Sequence, residues 1–162
     1  MSEDKYLKEP VKYCIYKGMG GKNGAAQFQL IRFSPRREYN GKAKPQGGVL
    51  LEMAPTSGKN LYDWSKKVSF WMTPEDCAAF LIFKTMTSDD PNNKGIFHKH
   101  GDVNKKLNIC KGNIRDGLPT WMLSLRSGEQ VAVPISAVEM TVLSKLLEAA
   151  IPAMLGWHTE ES

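Results

Sequence analysis

Apolar and polar positions run through one order of patterns, and that order then repeats. Residues 11–17 (VKYCIYK), 25–33 and 47–54 are rich in β-branched and aromatic residues and predict three strands. The glycine-rich stretch 18–24 predicts a loop, the basic stretch 34–46 an exposed connection, and residues 55–60 a turn. Residues 61–72 (LYDWSKKVSFWM) predict a fourth strand. Thr73 can then cap a helix, Pro74 suits its first position, and Asp76 completes a capping box. Cys77, Phe80, Leu81 and Lys84 follow at helical spacing, with Ile82, Phe83 and Met86 widening the apolar surface, and the helix should end near residues 88–95. Four shorter strands come next, at 96–99, 105–111, 120–126 and 130–133. Ser136 and Glu139 form a second capping box ahead of a long helix whose stripe is Leu143, Leu146, Leu147, Ala150 and Met154. Pro152 should kink this helix and Gly156 end it. The prediction is an α+β fold of two four-stranded antiparallel sheets, each followed by a helix. Neither half can bury its sheet face alone, so the two pack into one domain through their helices.

The stretch 61–72 also carries chemistry. If it is one strand, Trp64, Lys66, Val68, Phe70 and Met72 share a face, while Asp63, Ser65, Lys67, Ser69 and Trp71 share the other. The first face reads as core and the second as polar with a tryptophan in it. An indole beside ammonium groups suits unstacked bases and their phosphates. Charge adds weight to this. The chain carries a net +5 over 162 residues, and residues 1–67 hold 13 basic against 6 acidic side chains. The positive half is therefore the half containing the aromatic strand, which favours a polyanionic partner.

Other features narrow the classes. Cys14, Cys77 and Cys110 are odd in number and have no metal-finger spacing, which fits a reducing compartment without disulfides or structural zinc. No apolar run approaches the roughly 20 residues of a membrane span, and the start is charged rather than signal-like, so a soluble intracellular protein is expected. Residues 1–10 read as a flexible N-terminal tail, 11–159 as a single domain and 160–162 as a C-terminal tail. Gly20-Gly21-Lys22-Asn23 lacks the spacing and the following Ser or Thr of a phosphate loop, and reads better as a basic loop near backbone phosphates. His98 and His100 share a strand face but read as a solvated pair, with no metal and no cofactor expected. Glu75 with Asp76, and Asp89 with Asp90, look like helix-terminus charges, and no nucleophile elbow or dinucleotide fingerprint occurs, so the chain is not expected to be an enzyme.

Tyr62-Asp63-Trp64-Ser65-Lys66-Lys67 resembles the Tyr-Asp-Trp-Ser-Arg-Lys strand of the Whirly family of single-stranded DNA-binding proteins, whose kinetoplastid relatives bind guide RNA. Leu155-Gly156-Trp157-His158-Thr159 is similar to the family's ending after its long helix. Ile96-Phe97-His98 and Val133-Pro134-Ile135 are weaker echoes, and order and spacing agree from residue 11 to 159. The resemblance implies sheets packed like propeller blades and a homotetramer held mainly by the helices. It also implies single strands crossing the sheet edges, with bases among apolar and aromatic side chains and little sequence preference. This makes Trp71 a sharper candidate than Trp64. The chain departs from the family by an insertion at 19–24 within the motif around Lys17-Gly18 and Ala25-Ala26, and by Lys99 in place of an Asp.

The expected contacts are Lys17, Lys22, Arg32, Lys66 and Lys67 on phosphates, with Phe28, Tyr62, Trp71 and Trp121 on bases. The function expected is single-stranded DNA binding in DNA maintenance, repair, replication or recombination. Two alternatives stay open: a single-stranded RNA-binding or annealing factor, and a protein-interaction scaffold recruiting through the long helix.

Overall fold

In the computed structural model the described residues are 11–19, 23–32, 37–39, 42–44 and 47–157; the expected tails and Lys22 lie outside them. The first sheet is built on one long strand. Strands β1 (Tyr13–Tyr16) and β2 (Gly24–Ile31) precede a short hairpin of β3 (Arg37–Tyr39) and β4 (Lys42–Lys44), and β5 (Gly48–Gly58) follows. β6 (Leu61–Tyr62) and β7 (Val68–Met72) complete it. The strand order is β1-β2-β5-β6, and β7 also pairs with β5. Along its second edge β5 therefore meets β7 over Val49–Met53 and then β6 at Thr56 and Gly58.

Three expectations for this half are corrected. Residues 61–72 are not one strand. Asp63 accepts a hydrogen bond from the Ser65 backbone N–H at 3.1 Å and another from the Ser65 hydroxyl, which caps a 3-10 turn over Trp64–Lys66 and interrupts the strand. Alternation cannot be carried across that turn, although within β7 it holds: Phe70 and Met72 are buried and Trp71 faces away. The turn expected at 55–60 is tighter, because β5 runs on to Gly58 and only Lys59 and Asn60 reverse the chain, Asn60 at φ 58°. Within the connection at 34–46 stands the β3–β4 hairpin, whose register pairs Arg37 with Lys44 and Tyr39 with Lys42.

Helix α1 (Pro74–Phe83) starts at the predicted capping box: Asp76 N–H donates to Thr73 Oγ1 at 3.1 Å and Thr73 N–H to Asp76 Oδ2 at 3.0 Å. It stops at Phe83, earlier than expected, where Thr85 and Met86 donate to the carbonyls of Ile82 and Phe83 in tighter turns. The second sheet is a meander of β8 (Ile96–His100), β9 (Val103–Lys111), β10 (Trp121–Ser127) and β11 (Glu129–Ile135), in the order β11-β10-β9-β8. Pro134 is accommodated because β11 is an edge strand. Helix α2 (Ala137–Leu155) runs from the Ser136–Glu139 capping box through Pro152 to Gly156, which takes φ 76°. It buries Leu143, Leu147, Ala150 and Met154 as expected, but Leu146 is 46% exposed and Met140 takes its place in the core. No helix among the described residues is long and apolar enough to cross a membrane.

One core joins all of this, from Leu51 and Phe70 of the first sheet through Cys77 and Phe80 of α1 to Leu107 and Leu123 of the second sheet and Leu143 of α2. His98 clasps the halves. It is not part of a solvated pair: its ring stacks on Phe70 at 4.2 Å between centroids, and its Nε2 lies 2.7 Å from Asp76 Oδ2. That carboxylate is the one that closes the α1 capping box. His98→Ala should therefore lower stability by about 1–3 kcal/mol, the scale of a part-buried charged hydrogen bond plus an aromatic contact. In urea unfolding the midpoint should fall at unchanged slope; an unaltered midpoint would show that the clasp carries no stability.

Candidate nucleic-acid interface

The strands of the first sheet have two faces, and pairing register decides which residues share them. Phe28 of β2, Leu51 of β5 and Phe70 of β7 are opposite one another and face the core. The neighbouring rows face outward: Cys14, Gln27, Glu52 and Ser69 in one, and Gln29, Leu50 and Trp71 in the next. Trp71 is half-buried, and its indole lies over Gly48, where an added Cβ would stand 2.3 Å from Trp71 Cε2. Glycine at 48 thus lets the ring rest on the backbone of β5. At the opposite end of the face Tyr16, 52% exposed, stands against Tyr62 with ring centroids 5.4 Å apart.

Cations border this face. Lys67 Nζ lies 2.6 Å from Glu52 Oε2, and Lys12 Nζ lies 3.9 Å from Glu52 Oε1. Lys66 and Lys67 also line a cleft of about 430 Å³ at the seam between the sheets, with Ser69, Lys105, Ser127 and Glu129. Lys105 crosses that seam and donates to the Ser69 carbonyl at 2.6 Å. On the outer face of the second sheet Phe97 is 62% exposed, Lys106 Nζ sits 4.9 Å from its ring centroid, and Arg126 is opposite Lys106 in the next strand.

The expected contact residues divide. Trp71 and Lys67 share the outer face, Tyr62 flanks it and Lys66 opens onto the seam. Arg32, half-buried, follows the end of β2 beside Gly47, at the same end of the sheet as Trp71. Lys17 and Trp121 instead line a separate cleft of about 710 Å³ with Asn23, Arg115 and Ser136. Both are engaged there: Lys17 Nζ lies 2.8 Å from Glu139 Oε1, and Trp121 donates its indole N–H to the Lys84 carbonyl at 2.7 Å. Burial alone would raise the Glu139 carboxyl, but hydrogen bonds from Lys17 and from Ser136 outweigh it and hold the group below its ordinary value. Phe28 is only 4% exposed on the inner face, where its ring packs in the core rather than facing bases. Cys77, fully buried beside Asp76, has its thiol pushed up to about 12, chiefly by burial, so it is no nucleophile. The residues that strand parity could have added are Tyr16 and Glu52; Lys105 and Phe97 become visible only once the sheets are assembled.

The family model described as Whirly transcription factor matches residues 15–146. The chain belongs to the Whirly family. The Whirly chain is 30% identical over 159 residues to the chloroplastic single-stranded DNA-binding protein WHY1 of Solanum tuberosum, covering 92% of this chain and 56% of that one. It is 23% identical over 154 residues to the mitochondrial single-stranded DNA-binding protein WHY2 of Arabidopsis thaliana, covering 90% of this chain and 63% of that one. It thus spans somewhat over half the length of these relatives. The crystal structure of WHY3 from Arabidopsis thaliana superposes with a TM-score of 0.67 at 25% identity, over 91% of this chain and 89% of that one. The two antiparallel sheets, each followed by a helix, are the fold the Whirly resemblance implied.

Because Gly48 seats the indole, Gly48→Val should push Trp71 off β5. With Trp71→Phe as the reference for its signal, the variant should red-shift the Trp71 contribution to fluorescence; an unmoved spectrum would place the ring elsewhere.

Proposed function

We propose that this Whirly chain binds single-stranded DNA without catalysing a reaction, with little preference for sequence, in DNA maintenance, repair, replication or recombination. The observation that carries the reading is Trp71, presented on the outer face over Gly48, with the Lys67 ammonium held by Glu52 in the adjoining row. A half-exposed indole offers a stacking surface to any base, and neighbouring ammonium groups neutralise phosphates without reading sequence. Tyr16 with Tyr62 extends the aromatic surface, and Lys66 with Lys105 extends the basic one into the seam. The relatives named as single-stranded DNA-binding proteins support the same ligand.

The reading includes a homotetramer held by the helices. Its support is an apolar strip on α2, Val138, Val142 and Leu146 at four-residue spacing, beside an apolar groove of about 540 Å³ shared with Tyr13, Phe28 and Leu30.

Labelled oligo(dT) should bind at low salt, with affinity falling steeply as salt rises. Trp71→Ala should weaken it by about tenfold, within the ~1–3 kcal/mol of one stacked base, while leaving the fold intact. No anisotropy change with micromolar wild-type protein would end the reading, and tighter binding of matched RNA would reassign the ligand. Light scattering should give the mass of four chains, reduced by Leu146→Asp; a monomeric wild type would dismiss the tetramer.

A further inference from the structure

The centre of the outer face holds a group of the wrong sign for a polyanion. Glu52 stands on β5 between Gln27 of β2 and Ser69 of β7, in the row adjoining Trp71. Its side chain is 13% exposed, against 47% for Lys67 and 40% for Lys12, so the lysines reach inward from the rim to a carboxylate fixed on the central strand. Lys12 Nζ also lies 3.5 Å from Gln27 Oε1 in the same row. The cluster therefore presents two cations and one anion, and the anion is the member least able to move.

We propose that Glu52 sets the affinity and salt response of this face as a built-in competitor for the phosphates. In the free chain its carboxylate occupies Lys67 and Lys12. A polynucleotide whose base lies on Trp71 passes its backbone over this row and shares those ammonium groups with a carboxylate that stays in place. The arrangement costs affinity twice, by repelling phosphate and by holding the lysines down toward the sheet. It also keeps both long side chains ordered and stops the face from gripping every polyanion at full strength. The inference rests on the single-stranded DNA reading and adds to it a residue that limits binding.

The test is labelled oligo(dT) titrated into the full chain as wild type, Glu52→Gln, Lys67→Gln and the double variant, at two salt concentrations. Glu52→Gln keeps the shape and removes the charge. It should tighten binding by about fivefold or more at low salt, the Coulomb scale of one unit charge at ~4 Å in water. The salt dependence should steepen by roughly 0.7 in slope for each lysine released. The gain should shrink in the Lys67→Gln background, because Glu52 acts through that ammonium group. Glu52→Ala must change affinity in the same direction, and thermal unfolding identifies whichever of the two neutral variants is folded. If the wild type binds and the folded neutral variant binds equally or more weakly, Glu52 is no competitor and the inference is overturned while the ligand stands. Silence from the wild type overturns the inference together with the single-stranded DNA reading on which it rests.

Discussion

The register between β5 and β7 is the constraint on which the rest depends. Leu51 is opposite Phe70 on the inner side and Leu50 is opposite Trp71 on the outer side, so a slip of one residue would exchange a core phenylalanine for a surface indole. The slip is opposed by the core itself, since Phe70 and Met72 are buried in one cluster whose residues come from both sheets and both helices. Core packing and the candidate interface are therefore one decision. Each apolar residue that holds β7 inward also fixes which aromatic and which lysine face outward.

The same economy operates where the halves meet. Asp76 starts α1 and receives His98 of the second sheet, and His98 stacks on Phe70 of the first. Lys105 reaches from β9 to the Ser69 carbonyl near the other side of this contact. Two polar links thus brace a junction whose main energy is apolar burial, and they fix orientation in a way that non-directional packing cannot.

Much of the fold is legible locally. Both capping boxes, the alternation within β7 and the α2 stripe at Leu143, Leu147, Ala150 and Met154 depend on neighbours a few residues away and appear as the periodicity implies, with Leu146 the exception. What the periodicity hides is local competition and distant pairing. Asp63 and Ser65 break the aromatic strand by bonding to each other, a signal that alternation does not weigh. Trp121 shares the phase of Leu123 and Leu125, which marks it as facing inward, and its indole N–H finds a carbonyl at the end of α1 that no spacing announces. Lys67 and Trp71 can be placed on the outer face from parity alone. That Lys67 is held by Glu52 requires knowing that β5 and β7 are adjacent, and that His98 meets Asp76 requires the two halves to be docked.

Pro134 has a consequence beyond its own strand. It is paired with Met122 on the edge strand β11 and has no N–H to offer an incoming strand. A donor is missing there, so that edge is a poor template for adding further chain. For a chain proposed to form a homotetramer through its helices, this means that contact between copies has to be made elsewhere than along that edge.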